Sequence, residues 1–381
     1  MTSIDIKETI LDKDSYFNIK RFKIGSIGSD IALKTIDSSN TGKEIVSRYN
    51  PEFNKSKFVF EKSKVIKNFN ILKDLIDKGN QKKIDSFFGR QAWLSEEPFF
   101  IHMTFNFNPY DSIKSLEELS SFLTFYHRYS KTILCVPNIL RATNPYTEEK
   151  SQKEVEIIDL DGYKRFVNEC YDFLHSKNNK PIFVPISLKF TPSQIENLVT
   201  YYLGKEYFYF WIDMECKPIS EYFEALIMQI NDLITKKGRY GDCLIYITNM
   251  KREIITHKKK DNSPSSDILS SLAGANLVGS NREPPRNMKN AKPLTNQDKQ
   301  HKARLFDQSS YYYVKRPDLN INKKENVTEN SIRLAREFDN QKKFFLDHLK
   351  IEPYIKEKQM IQDHKEILTS FFKGRKVQFP F

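Results

Sequence analysis

One carboxylate, Asp307, lies in surroundings that would suit a reacting group. It follows two apolar residues and precedes Tyr311–Tyr313, within a basic stretch from Lys302 to Lys315. Apolar and aromatic neighbours shift the pKa of a carboxyl, and shifted pKa values are typical of catalytic acids. The other interpretation is a plain strand from Leu305 to Val314, with half-buried tyrosines and an exposed acid near one end. Asp307 is therefore the first candidate catalytic residue.

A second pair of acids, Asp213 and Glu215, ends a predicted strand over residues 207–216. Side chains two residues apart on a strand point to the same face, so these carboxylates should be neighbours. Neighbouring acids push their pKa values apart and can then serve as acid and base. Alternatively, they pair with Lys189 or Arg252 on neighbouring strand ends and form a structural ion network.

Two asparagines, Asn106 and Asn138, are candidate base-binding residues. They lie near the ends of predicted strands at residues 98–107 and 131–140. A side-chain amide presents a donor and an acceptor together, which suits a planar heterocycle. The commoner role of asparagine at such a position is to cap a loop.

Other kinds of site are poorly supported by the sequence. The four cysteines form no CxxC pair and the seven histidines are dispersed, so we expect neither a metal nor a disulfide framework. The chain has no P-loop, GxGxxG or GxSxG motif, and we expect no cofactor. The N-terminal residues do not form a signal peptide and no run is long enough to span a membrane, which predicts a cytoplasmic protein without membrane contact.

Apolar runs alternate with amphipathic stretches from residue 98 onward, and this pattern predicts strands and helices around a parallel sheet. The remaining strands are expected at 180–190 and 242–250, after a hairpin and first strand within 20–37. Residues 50–90 are charged and have helical spacing. Roughly eight alternations favour an α/β fold of the (β/α)8 TIM-like barrel type. A doubly wound open parallel sheet is the alternative.

The predicted barrel occupies residues 1–325 and includes a basic loop at 281–300 without an apolar period. Residues 326–381 are predicted to form a C-terminal helical extension. Its helices either pack on the outside of the barrel or form the contact with a protein partner or a second copy of the chain.

The net charge of +12 suggests an anionic partner, and nucleic acid is the first candidate. The excess is concentrated between Lys251 and Arg316, where 14 basic residues face 6 acidic ones. A solvated flexible loop is the alternative explanation. The candidate nucleic-acid-binding residues are Lys258, Lys259, Lys260, Arg282, Arg286, Arg304 and Arg316.

The string RLFDQSSYYYVK resembles a segment of the archaeal tRNA-guanine (archaeosine) transglycosylases, where Leu-Phe-Asp precedes a Ser-X-Ser-Tyr type stretch. RFKIGSIGSDIALKTID is similar to that family's opening hairpin and first strand, and YFYFWIDMECKP to its sixth strand. The resemblance loosely covers residues 20–350. It implies a TIM-barrel transferase that replaces guanine in tRNA or DNA with a small heterocycle, a 7-deazaguanine-type base. By the same resemblance Asp307 would attack the ribose C1′ carbon, and Tyr311 would stack on the base.

Several motifs of that family are changed in this chain. Its two strand-end acids fall near MTFNFNPY and CVPNI, which leaves Asn106 and Asn138 in their places, and its Cys-X-Cys zinc site is absent. The string GANLVGSN also aligns with the nucleophile strand, which would put Gly279 at the catalytic position and Asp307 in the following hairpin. A non-catalytic nucleic-acid-binding barrel and an assembly subunit are therefore alternatives to the enzyme.

Overall fold

The structure of the chain is a computed structural model. It describes residues 4–24, 27–48, 59–77, 81–89, 97–109, 116–139, 158–177, 180–222, 226–253, 262–282, 303–319 and 321–372. The strands are β1 (Asp5–Leu11), β2 (Asn18–Ile24), β3 (Ile27–Ser29), β4 (Leu33–Asp37), β5 (Val59–Ile66), β6 (Phe99–Phe105), β7 (Leu134–Cys135), β8 (Asn138–Ile139), β9 (Ile182–Ile186), β10 (Tyr209–Asp213), β11 (Leu244–Thr248), β12 (Asn262–Pro264), β13 (Leu277–Val278), β14 (Arg304–Asp307) and β15 (Tyr312–Lys315).

The helices lie mostly between the strands of the large sheet and at the C-terminal end of the chain. They are α1 (Lys43–Arg48), α2 (Phe69–Asp77), α3 (Gln81–Phe88), α4 (Leu116–Tyr129), α5 (Leu160–Ser176), α6 (Pro192–Gly204), α7 (Ile219–Tyr222), α8 (Met228–Lys236), α9 (Lys323–His348), α10 (Glu352–Lys356), α11 (Gln359–Asp363) and α12 (Lys365–Phe372). Short 3-10 turns cover Ser38–Asn40 and Asp267–Ser270. No helix within the described residues is long and apolar enough to cross a lipid bilayer.

A large curled parallel sheet is the centre of the molecule, so the predicted α/β fold is confirmed. Its strand order is β7-β9-β10-β11-β13-β4-β5-β6-β8, and each neighbouring pair is parallel. The two terminal strands, β7 and β8, are separated along the chain only by Val136 and Pro137. The carboxyl ends of β10, β11, β13, β4, β5 and β6 therefore lie along one edge of the sheet.

The two faces of the sheet are buried in different cores. Phe99, Ile101 and Met103 of β6 pack in the larger core, which the helices cover. Phe100, on the other face of the same strand, packs in a second core with Trp211 of β10 and its neighbours. This alternation follows from the two-residue period of a strand and assigns the second core to the inner side of the curled sheet.

The helices that cover the outer face show clear start signals and apolar stripes. In α6, the N-cap Thr191 and Gln194 form a capping box, and Pro192 occupies the first turn. Its buried residues are Ile195, Leu198, Val199 and Tyr202. Their spacing of three or four residues places them on one side of the helix, which packs on the sheet.

A small antiparallel sheet of β1, β2 and β3 covers one end of the inner core. Phe22, Ile24 and Ile27 contribute to that core together with Phe100. Lys20 of β2 is buried, and its Nζ donates hydrogen bonds of 2.6 Å to the carbonyl oxygens of both Tyr240 and Cys243. Burial lowers the pKa of Lys20 to about 7, against a smaller opposing effect of Cys243 and Asp242.

Lys20 should make the free energy of unfolding depend on pH under alkaline conditions. Between its folded pKa of about 7 and its ordinary value of 10.5, the unfolded chain holds a proton that the folded chain does not. Stability should therefore rise with pH across this interval in the wild type relative to Lys20→Met. Denaturant unfolding of both proteins at several pH values in the interval measures the difference. Parallel pH dependences would contradict the buried, partly neutral lysine.

The C-terminal helices share the larger core rather than forming a core of their own. α9 begins with a capping box of Asn322 and Glu325, and it packs on β14 and β4. Its Phe345 meets Phe17 edge to face, with ring centroids 5.1 Å apart. β12, β15 and β14 form a separate antiparallel sheet beside this helix.

Candidate functional site at the carboxyl strand ends

Asp213, the last residue of β10, is the centre of a buried polar site at the carboxyl ends of the strands. Its side chain accepts hydrogen bonds from the backbone N–H of Glu215 at 2.9 Å and from Asn249 Nδ2 at 3.0 Å. Thr104 of β6 approaches the same carboxylate at 3.5 Å. We call Asp213, Glu215, Lys189 and Asn249 the strand-end site. Donors from three strand ends thus fix the orientation of one carboxylate.

The backbone at this site is in a conformation that is unfavourable for residues other than glycine. Glu215 and Cys216 have φ values of 49° and 64°, and Asn249 has 52°. The left-handed region costs about 1 kcal/mol or more per residue. Cys216 donates its N–H to the carbonyl of Asn249 at 2.8 Å, so the strained segments of adjacent strands hold each other. Such strain is concentrated at functional sites more than elsewhere.

Glu215 and Lys189 form an ion pair with an Nζ to Oε2 distance of 2.6 Å. Burial raises the pKa of Glu215, Lys189 opposes that shift, and the nearby Asp213 adds to it. The net pKa lies above the ordinary value, which lets the side chain hold a proton closer to neutral pH than most glutamates. Lys189 is thus one of the partners predicted for these acids, whereas Arg252 pairs with Glu253 instead.

A second polar cluster lies deeper, on the inner side of the sheet. Glu61 of β5 is fully buried, and its carboxylate accepts from Thr35 and Tyr246 at 2.5 Å each and from Thr248 at 3.2 Å. Both the backbone N–H of Ser280, at 2.7 Å, and its hydroxyl also donate to Glu61. We call these residues, with His102, the inner cluster. It joins the consecutive strands β11, β13, β4, β5 and β6 of the sheet around one carboxylate.

The inner cluster holds Glu61 in its charged form. Burial alone would raise the pKa of Glu61, but His102, Ser280 and Thr35 outweigh it and keep the pKa well below the usual range. His102 Nε2 lies 3.9 Å from Glu61 Oε1, and neither ring nitrogen of this buried histidine has a hydrogen-bond partner among the described residues. A buried carboxylate of this kind is stable only while its donors stay in place.

Asp37 and Ser63 complete the polar edge of the sheet. Asp37 ends β4, and burial raises its pKa, with a further rise from Glu61 and an opposing hydrogen bond from Ser39. Ser63 of β5 accepts from Asn249 Nδ2 and from Arg282 Nη1, each at 3.4 Å. A guanidinium therefore lies next to the strand-end site and supplies positive charge where a phosphate could bind.

Gly279 directly follows β13 and has no space for a side chain. A Cβ placed on it would lie 2.6 Å from the Thr248 Cα and closer still to the Thr248 side chain. Gly279 follows β13, and Asp307 lies further along the chain in the hairpin of β14 and β15. A side chain with a carboxylate at position 279 would therefore clash with Thr248.

Asp307 lies in the hairpin of β14 and β15, where it closes the turn. Its carboxylate accepts from the Ser309 hydroxyl at 2.8 Å, from the Ser310 N–H at 3.0 Å and from the Ser310 hydroxyl. Burial is the largest single effect and raises the pKa of Asp307, but the hydrogen bonds from Ser310 and Ser309 together outweigh it and lower the pKa overall. No contact within the described residues joins Asp307 to Asp213 or Glu215. The structure thus places it in a turn beside α9 rather than at the strand-end site.

Two predicted base-binding residues are buried and already bonded. Asn138 is 1% exposed and accepts from the Tyr163 hydroxyl at 2.8 Å. Tyr311 is fully buried in a left-handed conformation, and its hydroxyl donates to Glu337 at 2.7 Å. Neither has a free face for a base, which corrects both assignments. Asn106 follows β6, is partly exposed, and donates its N–H to the Ile66 carbonyl at 2.9 Å.

The predicted cationic residues fall into three groups. Arg282 lies next to the strand-end site, as described. Arg304 pairs with Glu253 at 2.8 Å, and Arg316 pairs with Asp318 at 2.8 Å, both away from Asp213. Lys258, Lys259, Lys260 and Arg286, with all of the predicted loop 281–300 beyond Arg282, lie outside the described residues.

The sequence did not single out Asn249 of the strand-end site, Glu61 and His102 of the inner cluster, or the nearby Asp37. Glu61 interrupts the apolar run FVFEKSKV, and an acid within a strand is a signal for a buried partner. Asp37 ends the predicted first strand, which is a position where site residues of parallel sheets occur. The positions of Asn249 and His102 in these clusters depend on contacts between strands, and the spacing of residues along one strand does not reveal such contacts.

Together the fold and the site define an α/β protein with an acidic, strained site at the carboxyl ends of its parallel strands. Neither a protein-family model nor a curated protein matches the sequence. Among the described residues, no group of three or more His, Cys, Asp or Glu side chains is arranged to hold a metal ion. Asp213 and Glu215, with the groups that donate to them, are the polar centre of this site.

Proposed function

We propose that the curled sheet closes into a (β/α)8 barrel. β7 pairs with β9 and β8 pairs with β6, and the two short strands are consecutive pieces of chain. Val136, between them, donates its N–H to the Phe183 carbonyl at 2.8 Å. If β7 and β8 are halves of one strand, the eight parallel strands follow each other in chain order around a ring. The strand-end site then lies at the barrel mouth, where such barrels carry their active sites.

We propose further that the protein is a transglycosylase-like enzyme that exchanges a base in tRNA or DNA. The observation that carries this proposal is the carboxylate pair of the strand-end site, whose members have different environments. Asp213 is buried and oriented by three donors, whereas the pKa of Glu215 is raised by burial and by Asp213. Environments that separate two carboxylates in this way suit one nucleophile and one proton donor.

The reaction would proceed by double displacement. The Asp213 carboxylate attacks the ribose C1′, the glycosidic bond to the base breaks, and the Glu215 proton goes to the leaving base. An incoming heterocycle then attacks C1′, releases Asp213, and returns its own proton to Glu215. The target base must leave its stack for this, and Arg282 beside Ser63 is placed to hold an adjacent phosphate. Asp307 has no part in this assignment, because it lies in the hairpin of β14 and β15 and not at the carboxyl ends of the parallel strands.

Isosteric variants at two aspartates test the assignment. We expect Asp213→Asn to lower base exchange by about 100-fold or more, since it removes the nucleophile while the side chain keeps nearly the same size and shape. Asp307→Asn is the matched control and should leave the rate within about threefold of wild type. The measurement is incorporation of a labelled 7-deazaguanine-type base into tRNA and into duplex DNA, with gel detection of a covalent adduct. Loss of the adduct in Asp307→Asn alone would reverse the assignment.

A second function, nucleic-acid binding without chemistry, is favoured by one observation. Gly279 occupies the position that the transglycosylase alignment gives to the nucleophile, and Thr248 leaves it no room for a side chain. A barrel that has lost this group while it keeps Arg282 near the mouth would bind without turnover. The net charge of +12 is consistent with that role.

Salt dependence of binding tests this second function. Arg282→Gln should weaken binding of a tRNA or a DNA duplex and reduce the slope of log affinity against log salt by about one, because one phosphate contact is lost. Arg316→Gln is the control, since its guanidinium already pairs with Asp318. Equal slopes for wild type and Arg282→Gln would exclude a phosphate contact at this arginine.

A further inference from the structure

The inner cluster and the strand-end site are joined by a continuous chain of hydrogen bonds. Glu61 accepts from both the N–H and the hydroxyl of Ser280. The Ser280 carbonyl accepts from the N–H of Asn249 at 3.1 Å, and Asn249 Nδ2 donates to Asp213 at 3.0 Å. Every link is buried or nearly so, and buried hydrogen bonds that share groups strengthen one another.

We infer that Glu61 is a positioning residue, which fixes Asp213 through Ser280 and Asn249. A role of Glu61 in catalysis rests on the proposed function, whereas its effect on the position of Asp213 does not. Asn249 is the sensitive link, because it has a left-handed φ of 52°, which asparagine tolerates better than most residues and which contacts on both sides hold here. A strained residue keeps its conformation only while its surroundings determine it. Here the surroundings are the Ser280 carbonyl on one side and the Asp213 carboxylate on the other.

The charge of Glu61 is what gives Ser280 a fixed position. The carboxylate draws two donors of the same residue to one oxygen, so the chain after β13 has little freedom at that point. Gly279, just before, permits close contact with Thr248, whose hydroxyl also donates to Glu61. The buried carboxylate of Glu61 therefore holds the ends of β11 and β13 together. Weakening the contact between Glu61 and Ser280 should therefore affect Asn249 before it affects the apolar core.

Amide hydrogen exchange in the intact protein tests the chain of contacts without any assay of activity. The two reporting groups are the Asn249 N–H, which donates to Ser280, and the Glu215 N–H, which donates to Asp213 at 2.9 Å. In Ser280→Ala the hydroxyl link to Glu61 is lost, and both amides should exchange about tenfold faster than in wild type. Ser280→Thr, which keeps a hydroxyl, should restore most of the protection.

Ser130→Ala is the matched control. Ser130 is also a buried serine of the sheet region, but it bonds to the Ile101 N–H at 2.9 Å and to the Ile133 carbonyl at 2.8 Å, away from Asn249. It should speed exchange at Ile101 and leave Asn249 and Glu215 unchanged. Unchanged Asn249 and Glu215 amides in Ser280→Ala, or equal acceleration by Ser130→Ala, would overturn the inference.

Base exchange by the same variants separates this inference from the proposed function. If both stand, Ser280→Ala lowers kcat about tenfold with KM near the wild-type value, because only the orientation of Asp213 is lost. If Asp213→Asn leaves base exchange intact, the proposed function fails, and the amide exchange rates still decide whether Glu61 positions the strand-end site. If amide exchange is faster in Ser280→Ala but kcat for base exchange is unchanged, the hydrogen-bond chain has no role in catalysis.

Discussion

Gly279→Ala should unfold about 3 kcal/mol more easily than the wild type, or fail to fold, because the added methyl has no space. The new Cβ would lie 2.6 Å from the backbone Cα of Thr248, where a rotamer change offers no relief. A backbone shift of β11 or β13 would be needed, and both strands are held by Glu61 through Thr248 and Ser280. Thermal and urea unfolding of the variant and the wild type measure the difference.

Gly42→Ala is the matched control for this prediction. No heavy atom lies within 4 Å of a Cβ built on Gly42, and its backbone is not in the left-handed region. Its stability should stay within about 0.5 kcal/mol of the wild type. A Gly279→Ala protein as stable as Gly42→Ala would mean that the strands separate freely at this point. The same result would show that Thr248 leaves space for a side chain at position 279.

The strands that the sequence predicted well are the ones whose signal is local. β6, β9, β10 and β11 lie inside their predicted ranges, because each is a mostly apolar or aromatic run that the sheet buries on both faces. The prediction of helix over residues 50–90 is wrong for β5. Its apolar run is broken by Glu61, Lys62 and Lys64, and that pattern resembles an amphipathic helix. Hydrogen-bond donors on β4, on β11 and after β13 make a buried acid tolerable there.

The residues of the candidate site also differ in whether a local sequence signal predicts them. Asp213 and Glu215 could be predicted, because two positions on one strand determine their proximity. Asn249 could not, since it reaches Asp213 from a neighbouring strand and through a backbone conformation that asparagine adopts only in context. Asp307 was singled out by its aromatic neighbours. In the structure Tyr311 and Tyr313 bond to Glu337 and Asp267 within the protein, so the tyrosine run marks packing of the hairpin.

Glu61→Gln should lower the free energy of unfolding by about 3 kcal/mol or more. The amide keeps the shape of the carboxylate but presents two donors of its own to a site where Thr35, Tyr246, Thr248 and Ser280 all donate. Hydrogen bonds to a buried charge are worth more than neutral ones, and unmatched donors are costly. Denaturant unfolding near neutral pH measures the loss. Glu8→Gln is the control, because Glu8 forms only an exposed pair with Arg21 at 3.4 Å and should change stability by less than about 0.5 kcal/mol.

The pH dependence of the stability of Glu61→Gln tests whether the charge of Glu61 is the cause of this loss. The folded protein holds the pKa of Glu61 below its ordinary value of 4.5, so the unfolded chain binds the proton more readily. The stability contributed by Glu61 is therefore present above pH 4.5 and is lost as the pH falls below it towards the folded pKa. Wild type should lose its advantage over Glu61→Gln in acid, whereas Glu8→Gln should follow the wild type throughout. A constant gap between wild type and Glu61→Gln at every pH would show that packing, and not the charge of Glu61, holds the ends of β11 and β13 together.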